Sequence, residues 1–214
     1  ADMQNEFLNI NVISFQGIYR VVVAEDGSGL AGTSVKPPML QVDIAKSPNI
    51  RPIAAHVAPQ GSLYWIDWHN PIIGHLQHNL RDPNRDHVHG RIYRITYPER
   101  PLLTPKKIDG ESVARLIELL KEPEDNVRTR AKIELDKHET KQVIAAVQKW
   151  AKQFDPKKAE DAHHLLEVLW LQQWHNVMNV PLLKQMLASP EPRARAQAVR
   201  VLGYWNDRVS QPLA

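Results

Sequence analysis

Residues Leu63–Tyr97 read LYWIDWHNPIIGHLQHNLRDPNRDHVHGRIYRITY, and this stretch sets the fold expected for the first half of the chain. Its two ends, Leu63–Asp67 and Arg91–Tyr97, are rich in β-branched and aromatic residues and predict strands. A long polar insertion between them contains five histidines, His69, His75, His78, His87 and His89. Since histidine titrates near neutral pH and is the commonest metal ligand, the insertion predicts either a functional site or a dense hydrogen-bond network.

Three more strands are expected towards the amino terminus, where short apolar runs are broken by Gly, Pro, Asn and Asp: Ile10–Phe15, Gly17–Ala24 and Ile50–Ala58. No helical run separates them, a pattern typical of sandwiches, barrels and propeller blades. About five strands make one propeller blade and part of another, which would leave open sheet edges. We expect those edges to be covered by the remainder of a larger polypeptide or by a partner chain.

After Pro101 the apolar residues follow a helical period instead. Six helices are predicted, at Ser112–Leu120, Asn126–Leu135, Lys141–Phe154, Ala159–Trp174, Pro181–Leu187 and Arg193–Trp205. The change of period predicts two domains, residues 1–100 with strands and residues 101–214 with helices.

The helical part contains an internal repeat. LLKEPEDNVRTRAKIEL, residues Leu119–Leu135, aligns with MLASPEPRARAQAVRVL, residues Met186–Leu202. Each copy reads as an apolar helix, a turn with proline, and an amphipathic helix with a small residue in its middle. Together with a third helix pair over Lys141–Trp174, the repeat predicts an α-solenoid of three helical hairpins.

The composition excludes several classes of protein. The net charge is only +3, and the sequence contains no stripe of basic residues with interleaved aromatic residues, so no nucleic-acid partner is expected. The absence of cysteine excludes disulfides, thiolate metal sites and covalently attached haem in this chain. No apolar run reaches the ~20 residues of a transmembrane helix. The amino terminus, ADMQNEF, lacks an initiator methionine, so we expect a fragment or a processed chain.

The chain resembles PVC-type membrane-bound dehydrogenases, which are large bacterial proteins. SLYWIDWHNPIIGHLQHNLRDPNRDHVHGRIYRITY resembles the last blade of their propeller, and NVISFQGIYRVVVAEDGSGL resembles the part before it. HHLLEVLWLQQWHNV and RARAQAVRVLGYWNDRV resemble the HEAT-like solenoid that follows. The resemblance covers nearly the whole chain. It implies the C-terminal part of a β-propeller similar to the glucose/sorbosone dehydrogenase class, followed by HEAT-like helical hairpins.

The resemblance also implies a function. Enzymes of that class are oxidoreductases that use pyrroloquinoline quinone (PQQ) with calcium, and larger family members append a c-type cytochrome domain. The chain would then be a fragment, mainly scaffold and inactive alone, of a quinone-cofactor sugar or alcohol dehydrogenase-like protein. Such a protein would be membrane-associated, in the periplasm or cell envelope, and a cytochrome c would accept its electrons. The alternative is a non-enzymatic interaction or assembly module with a HEAT-like binding surface.

His69 is the candidate catalytic residue. It closely follows a strand that ends at Asp67, and in a propeller that position is a blade rim where pockets open. A base there would remove a hydroxyl proton from the substrate. Asn70, Arg91 and Arg94 are the candidate cofactor-binding residues, since arginine suits carboxylates such as those of a quinone cofactor. The structural alternative is that His69 caps loop backbone groups.

Asp82, Asp86, His87 and His89 are candidate metal ligands. The run DPNRD begins like a calcium loop, but an EF-hand requires Gly where His87 stands and Glu where Tyr93 stands. A calcium site of another type would use Asp82 and Asp86, and a zinc or iron site would use His87 and His89. The structural alternative is a turn whose carboxylates accept backbone N–H groups and pair with neighbouring arginines.

Histidines and tryptophans also cluster in the helical half. His163, His164, Trp170 and Trp174 lie within one predicted helix. Because tryptophan buries a large area, we interpret this group as packing between helices rather than as a cofactor site.

Overall fold

The computed structural model describes residues 6–13, 15–71 and 81–210. The chain divides into two compact units, Ala1–Pro105 and Lys106–Ala214. Over the described residues the first unit contains six strands, and the second contains six α-helices with one 3₁₀ turn. Strands precede helices along the chain, so the protein is α+β.

The strands of the first unit form two antiparallel sheets of three strands each. The first sheet contains β1 (Glu6–Asn11), β2 (Gly17–Asp26) and β3 (Gly29–Gln41), and the second contains β4 (Pro52–Val57), β5 (Leu63–Asp67) and β6 (Arg91–Ile95). In both sheets the strands lie side by side in sequence order. Strand β3 was not predicted, because its glycines and prolines resemble a turn and its mostly exposed residues show no apolar alternation.

The register between β5 and β6 places Arg91, one of the predicted site residues, on the face that carries the core. Trp65 lies opposite Tyr93, and their rings stack with centroids 4.4 Å apart. Asp67 lies opposite Arg91 two residues further along, so it shares the face of Trp65. Trp65 is buried in a small cluster to which both sheets contribute. This cluster holds the end of β5 in place.

The predicted β-propeller segment is wrong. Within the described residues neither sheet closes into a barrel, and each has three strands, fewer than the four of a propeller blade. The short alternating strands of the sequence are common to blades, barrels and open sheets. Which strands become neighbours depends on pairing between distant segments, and the local pattern does not specify that pairing.

The helices of the second unit are α1 (Val113–Glu118), α2 (Asp125–Leu135), α3 (Thr140–Ala151), α4 (Ala162–Trp174), α5 (Val180–Leu187) and α6 (Pro192–Trp205). Three of them begin at capping side chains: Ser112 accepts the N–H of Arg115, Asn179 that of Leu182, and Glu191 that of Arg193. In the part of the chain that the structure describes, no helix is both long and apolar enough to cross a bilayer.

The predicted α-solenoid of HEAT-like hairpins is also wrong. The helices share one continuous core rather than a layered array, and α4 packs against α3, α5 and α6. The sequence repeat reflects a local similarity. Nη1 of Arg128 donates to the carbonyls of two preceding turn residues, and Nη1 of Arg195 does the same in the second copy. Two similar helix–turn–helix segments do not determine how the hairpins stack.

Candidate functional site

A buried arginine fixes the loop that follows β5. The Arg51 guanidinium donates from Nε to the carbonyl of Asn70 at 2.8 Å and from Nη2 to that of Pro71 at 3.1 Å. Its Nη1 donates to the carbonyl of Val12 at 3.3 Å. Burial lowers the pKa of Arg51, and the charge of Asp67 opposes this shift. Since a buried donor left without an acceptor costs free energy, these bonds define the path of the loop.

Asp67 is the fixed anion behind the loop. Its side chain is completely buried, and Oδ1 accepts the backbone N–H groups of Arg51 and His69, both at 2.7 Å. Oδ2 has no hydrogen-bond partner among the described residues. It lies 3.6 Å from Nδ1 of His69 and 3.7 Å from Nη1 of Arg91. The Asp67 carboxylate therefore faces both His69 and Arg91, two of the residues that the sequence predicted for the site.

His69 lies between two carboxylates. Its ring Nδ1 faces Asp67, and its Nε2 is 3.9 Å from Oδ2 of Asp86. The backbone of His69 has φ of +50°, in the left-handed region that few residues other than glycine adopt. A carboxylate facing Nδ1 favours the tautomer with a proton on that nitrogen, which leaves Nε2 free to accept one.

His69 and Arg91 line the same cavity, which has a volume of about 330 Å³. Lys46, Asn49 and Tyr93 contribute to its wall. Over the described part of the chain, the lining contains cationic, neutral polar and apolar groups but no carboxylate. The volume falls in the range of small-molecule sites. The cavity therefore suits a small anionic ligand next to a proton-accepting side chain.

The structure places the other two predicted cofactor-binding residues away from this cavity. Arg94 is three residues from Arg91 along β6, so the two side chains point to opposite faces of the sheet. Arg94 lies opposite Tyr64, and its guanidinium is 5.9 Å from the centre of that ring. Asn70 is 3% exposed, and its side chain donates to the carbonyl of Asp86 at 3.4 Å. Asn70 thus helps to fix the loop, and Arg94 faces the opposite side of the sheet.

The four predicted metal ligands do not converge. Asp82 accepts an N–H within its own turn, and Oδ1 of Asp86 accepts those of Val88 and His89. These two N–H groups, with the ring of His89, lower the pKa of Asp86 to about 2. His87 is exposed. Across residues 6–13, 15–71 and 81–210, no group of three or more His, Asp or Glu side chains is arranged to hold a metal ion.

Sequence reasoning missed three residues of this site, Arg51, Asp67 and Lys46. Asp67 had a detectable signal, because it continues the inward-facing alternation of Leu63 and Trp65 and so places a carboxylate on a buried face. The other two have no comparable pattern. Of the five histidines in the insertion, His75 and His78 fall in residues 72–80, outside the described residues.

Residues 18–99 match the sequence model of a family described as a domain of unknown function, DUF7133. The matched segment contains Arg51, Asp67, His69 and Arg91. No curated protein and no solved structure matches the chain.

Proposed function

We propose that the first unit binds a small anionic molecule beside His69 and that His69 accepts a proton there, as part of a dehydrogenase-like protein. One observation carries this proposal: His69, with a buried carboxylate behind its Nδ1, lines the same cavity as Arg91. The imidazole of His69 suits proton transfer, and the guanidinium of Arg91 suits binding of a carboxylate or phosphate.

The dehydrogenase part of the proposal rests on the sequence resemblance. Oxidation of an alcohol removes a hydroxyl proton together with a hydride, and a bound quinone cofactor supplies the hydride-accepting chemistry. In this chain His69 would take the proton at Nε2, while Arg91 and Lys46 would hold a carboxylate of the ligand. The cell-envelope location and the cytochrome partner stay predictions.

Calcium stays a prediction from the resemblance, and we assign no step to it. Asp82 and Asp86 each accept N–H groups of their own turns, and among the described residues no group of three or more His, Asp or Glu side chains is arranged to hold a metal ion.

The proposal is tested by the rate at which diethylpyrocarbonate modifies individual histidines, followed by peptide mass spectrometry. Citrate serves as the anionic probe, and sodium chloride at equal ionic strength is the control. We expect citrate to slow the modification of His69 and to leave that of the exposed His89 unchanged. Arg91→Gln should remove this protection, whereas Arg94→Gln, on the opposite face of β6, should keep it. Equal protection of both histidines, or of neither, would contradict the proposal.

A further inference from the structure

We infer that the ligand of the site beside His69 is a small carboxylate with an apolar tail, and that the tail enters a second cavity in the same unit. This cavity has a volume of about 380 Å³, and all of its lining residues lie within Ala1–Pro105. The inference rests on the proposed function, because the charged end of the molecule would occupy the cavity that contains His69 and Arg91.

The two cavities adjoin each other. Ser47, Ile50 and Tyr93 line the cavity that contains His69 and Arg91, and the same three residues line the second cavity. A molecule bound in the first cavity can therefore extend along this shared wall into the second.

Strand β6 connects the two cavities along one face of the sheet. Arg91, Tyr93 and Ile95 alternate along this strand, so their side chains point the same way. Arg91 lines the first cavity, Tyr93 lines both, and Ile95 lines the second. At the rise of an extended strand, Arg91 and Ile95 are about 13 Å apart. The two cavities therefore suit one elongated molecule that lies along β6.

The second cavity is mainly apolar. Trp65 is 4% exposed, and its ring stacks on that of Tyr93. The other apolar lining residues are buried or half-buried: Leu40, Val42, Ile50 and Ile95. An apolar tail that enters this cavity leaves water, which favours binding through the hydrophobic effect.

The charges in the second lining determine which end of the ligand enters it. Among the described residues these charges belong to Asp43 and Arg94. The guanidinium of Arg94 is 5.9 Å from the ring of Tyr64, on the opposite face of β6. The carboxylate of Asp43 is 3.1 Å from Nζ of Lys46, and it would repel a second anionic group in this cavity.

Arg91 is accessible to the charged end of the ligand. Its side chain is 43% exposed, and Nη1 lies 3.7 Å from Oδ2 of Asp67, which is longer than a hydrogen bond. A guanidinium binds a planar carboxylate through two parallel N–H groups. The carboxylate of the ligand is therefore placed beside Arg91, and its uncharged part beside Trp65.

The experiment measures how acetate, butyrate, hexanoate and octanoate slow the modification of His69 by diethylpyrocarbonate in the intact chain. We expect protection to strengthen as the tail lengthens, because each fully buried methylene contributes about fourfold in affinity. Octanoate should protect at a concentration at least tenfold lower than acetate. Octylammonium, with the same tail and the opposite charge, should protect less well than octanoate.

Variants of the second cavity locate the tail. Leu40→Trp fills this cavity and should abolish the advantage of octanoate over acetate, while citrate continues to protect His69. Leu30→Trp, at a position 73% exposed and outside both linings, is the matched control and should keep the advantage. Val42→Thr adds a hydroxyl with little change of shape and should reduce the advantage. Circular dichroism establishes that each variant remains folded.

The results separate this inference from the proposed function. Equal protection by acetate and octanoate, with citrate still protecting His69, would overturn the apolar tail and leave the proposed anion site standing. The absence of protection by every carboxylate, citrate included, would overturn both. An octanoate advantage of the same size in Leu40→Trp and Leu30→Trp would show that the tail does not enter the second cavity, and equal protection by octylammonium would contradict the charged end.

Discussion

Oδ1 of Asp67 accepts the backbone N–H of His69 at 2.7 Å, and its Oδ2 lies 3.6 Å from the ring Nδ1 of the same residue without a hydrogen bond to it. The same Oδ1 accepts the backbone N–H of Arg51. A single buried side chain thus sets the start of β4, the end of β5 and the orientation of the candidate base.

We expect Asp67→Ala to destabilise the first unit by about 1–3 kcal/mol, because two buried N–H groups lose their acceptor. Hydrogen exchange followed by mass spectrometry should show faster exchange across residues 51–71 and unchanged exchange in the helical unit. Asp26→Ala, at the exposed end of β2, is the control and should leave residues 51–71 protected. Unchanged protection in Asp67→Ala would show that the loop is held by other contacts.

Arg51→Lys should cost about 2–4 kcal/mol of the free energy of unfolding of the first unit. A lysine ammonium cannot reproduce the planar geometry with which Arg51 reaches three carbonyls, so buried acceptors would lose their partners. Urea unfolding of the variant measures this loss. Arg94→Lys, on the outer face of the second sheet, should change stability by less than about 0.5 kcal/mol. Similar losses in both variants would refute the role of Arg51.

The turn at Asp86 should respond to acid in a defined range. The pKa of Asp86 is lowered from its ordinary value of 3.8 to about 2, so the carboxylate is stabilised in the folded turn. This contribution is fully present above the ordinary value and is lost as the pH falls from there through about 2. NMR titration of the amide protons of Val88 and His89 should give a midpoint near 2. Asp86→Asn should abolish that titration, and a midpoint near 3.8 would show that the bonds are not formed.

Glu167→Ala should destabilise the helical unit by about 3–5 kcal/mol, since it leaves the charges of Arg128 and Lys132 largely buried without their partner. Burial raises the pKa of Glu167, but hydrogen bonds from His163 and Lys132 outweigh it, and the pKa lies below its ordinary value. Thermal unfolding of the variant provides the measurement. Glu160→Ala removes an exposed carboxylate nearby and is the control. The prediction fails if the two variants melt alike.

The sequence predicted most of the helices and strands, though not β3, and it predicted the long-range arrangement poorly. The β-branched run Arg91–Tyr97 and the apolar period of Ser112–Leu120 each correspond to an observed element, because strand alternation and helical spacing are local properties. The propeller and the solenoid depended on how distant elements pair, and both predictions were wrong. In the site, His69 and Arg91 were singled out for their chemistry. Asp67 acts through burial, which the alternation of Leu63 and Trp65 indicates and the strand register establishes.

The left-handed backbone at His69 has a consequence for anyone who mutates this position. Most replacements would strain the backbone at this position, whatever the chemistry of their side chains, and β-branched residues would strain it most. Asparagine and glycine tolerate this conformation. A loss of function in His69→Asn would therefore be due to the missing imidazole. The same loss in His69→Val could be due either to the missing imidazole or to a distorted loop.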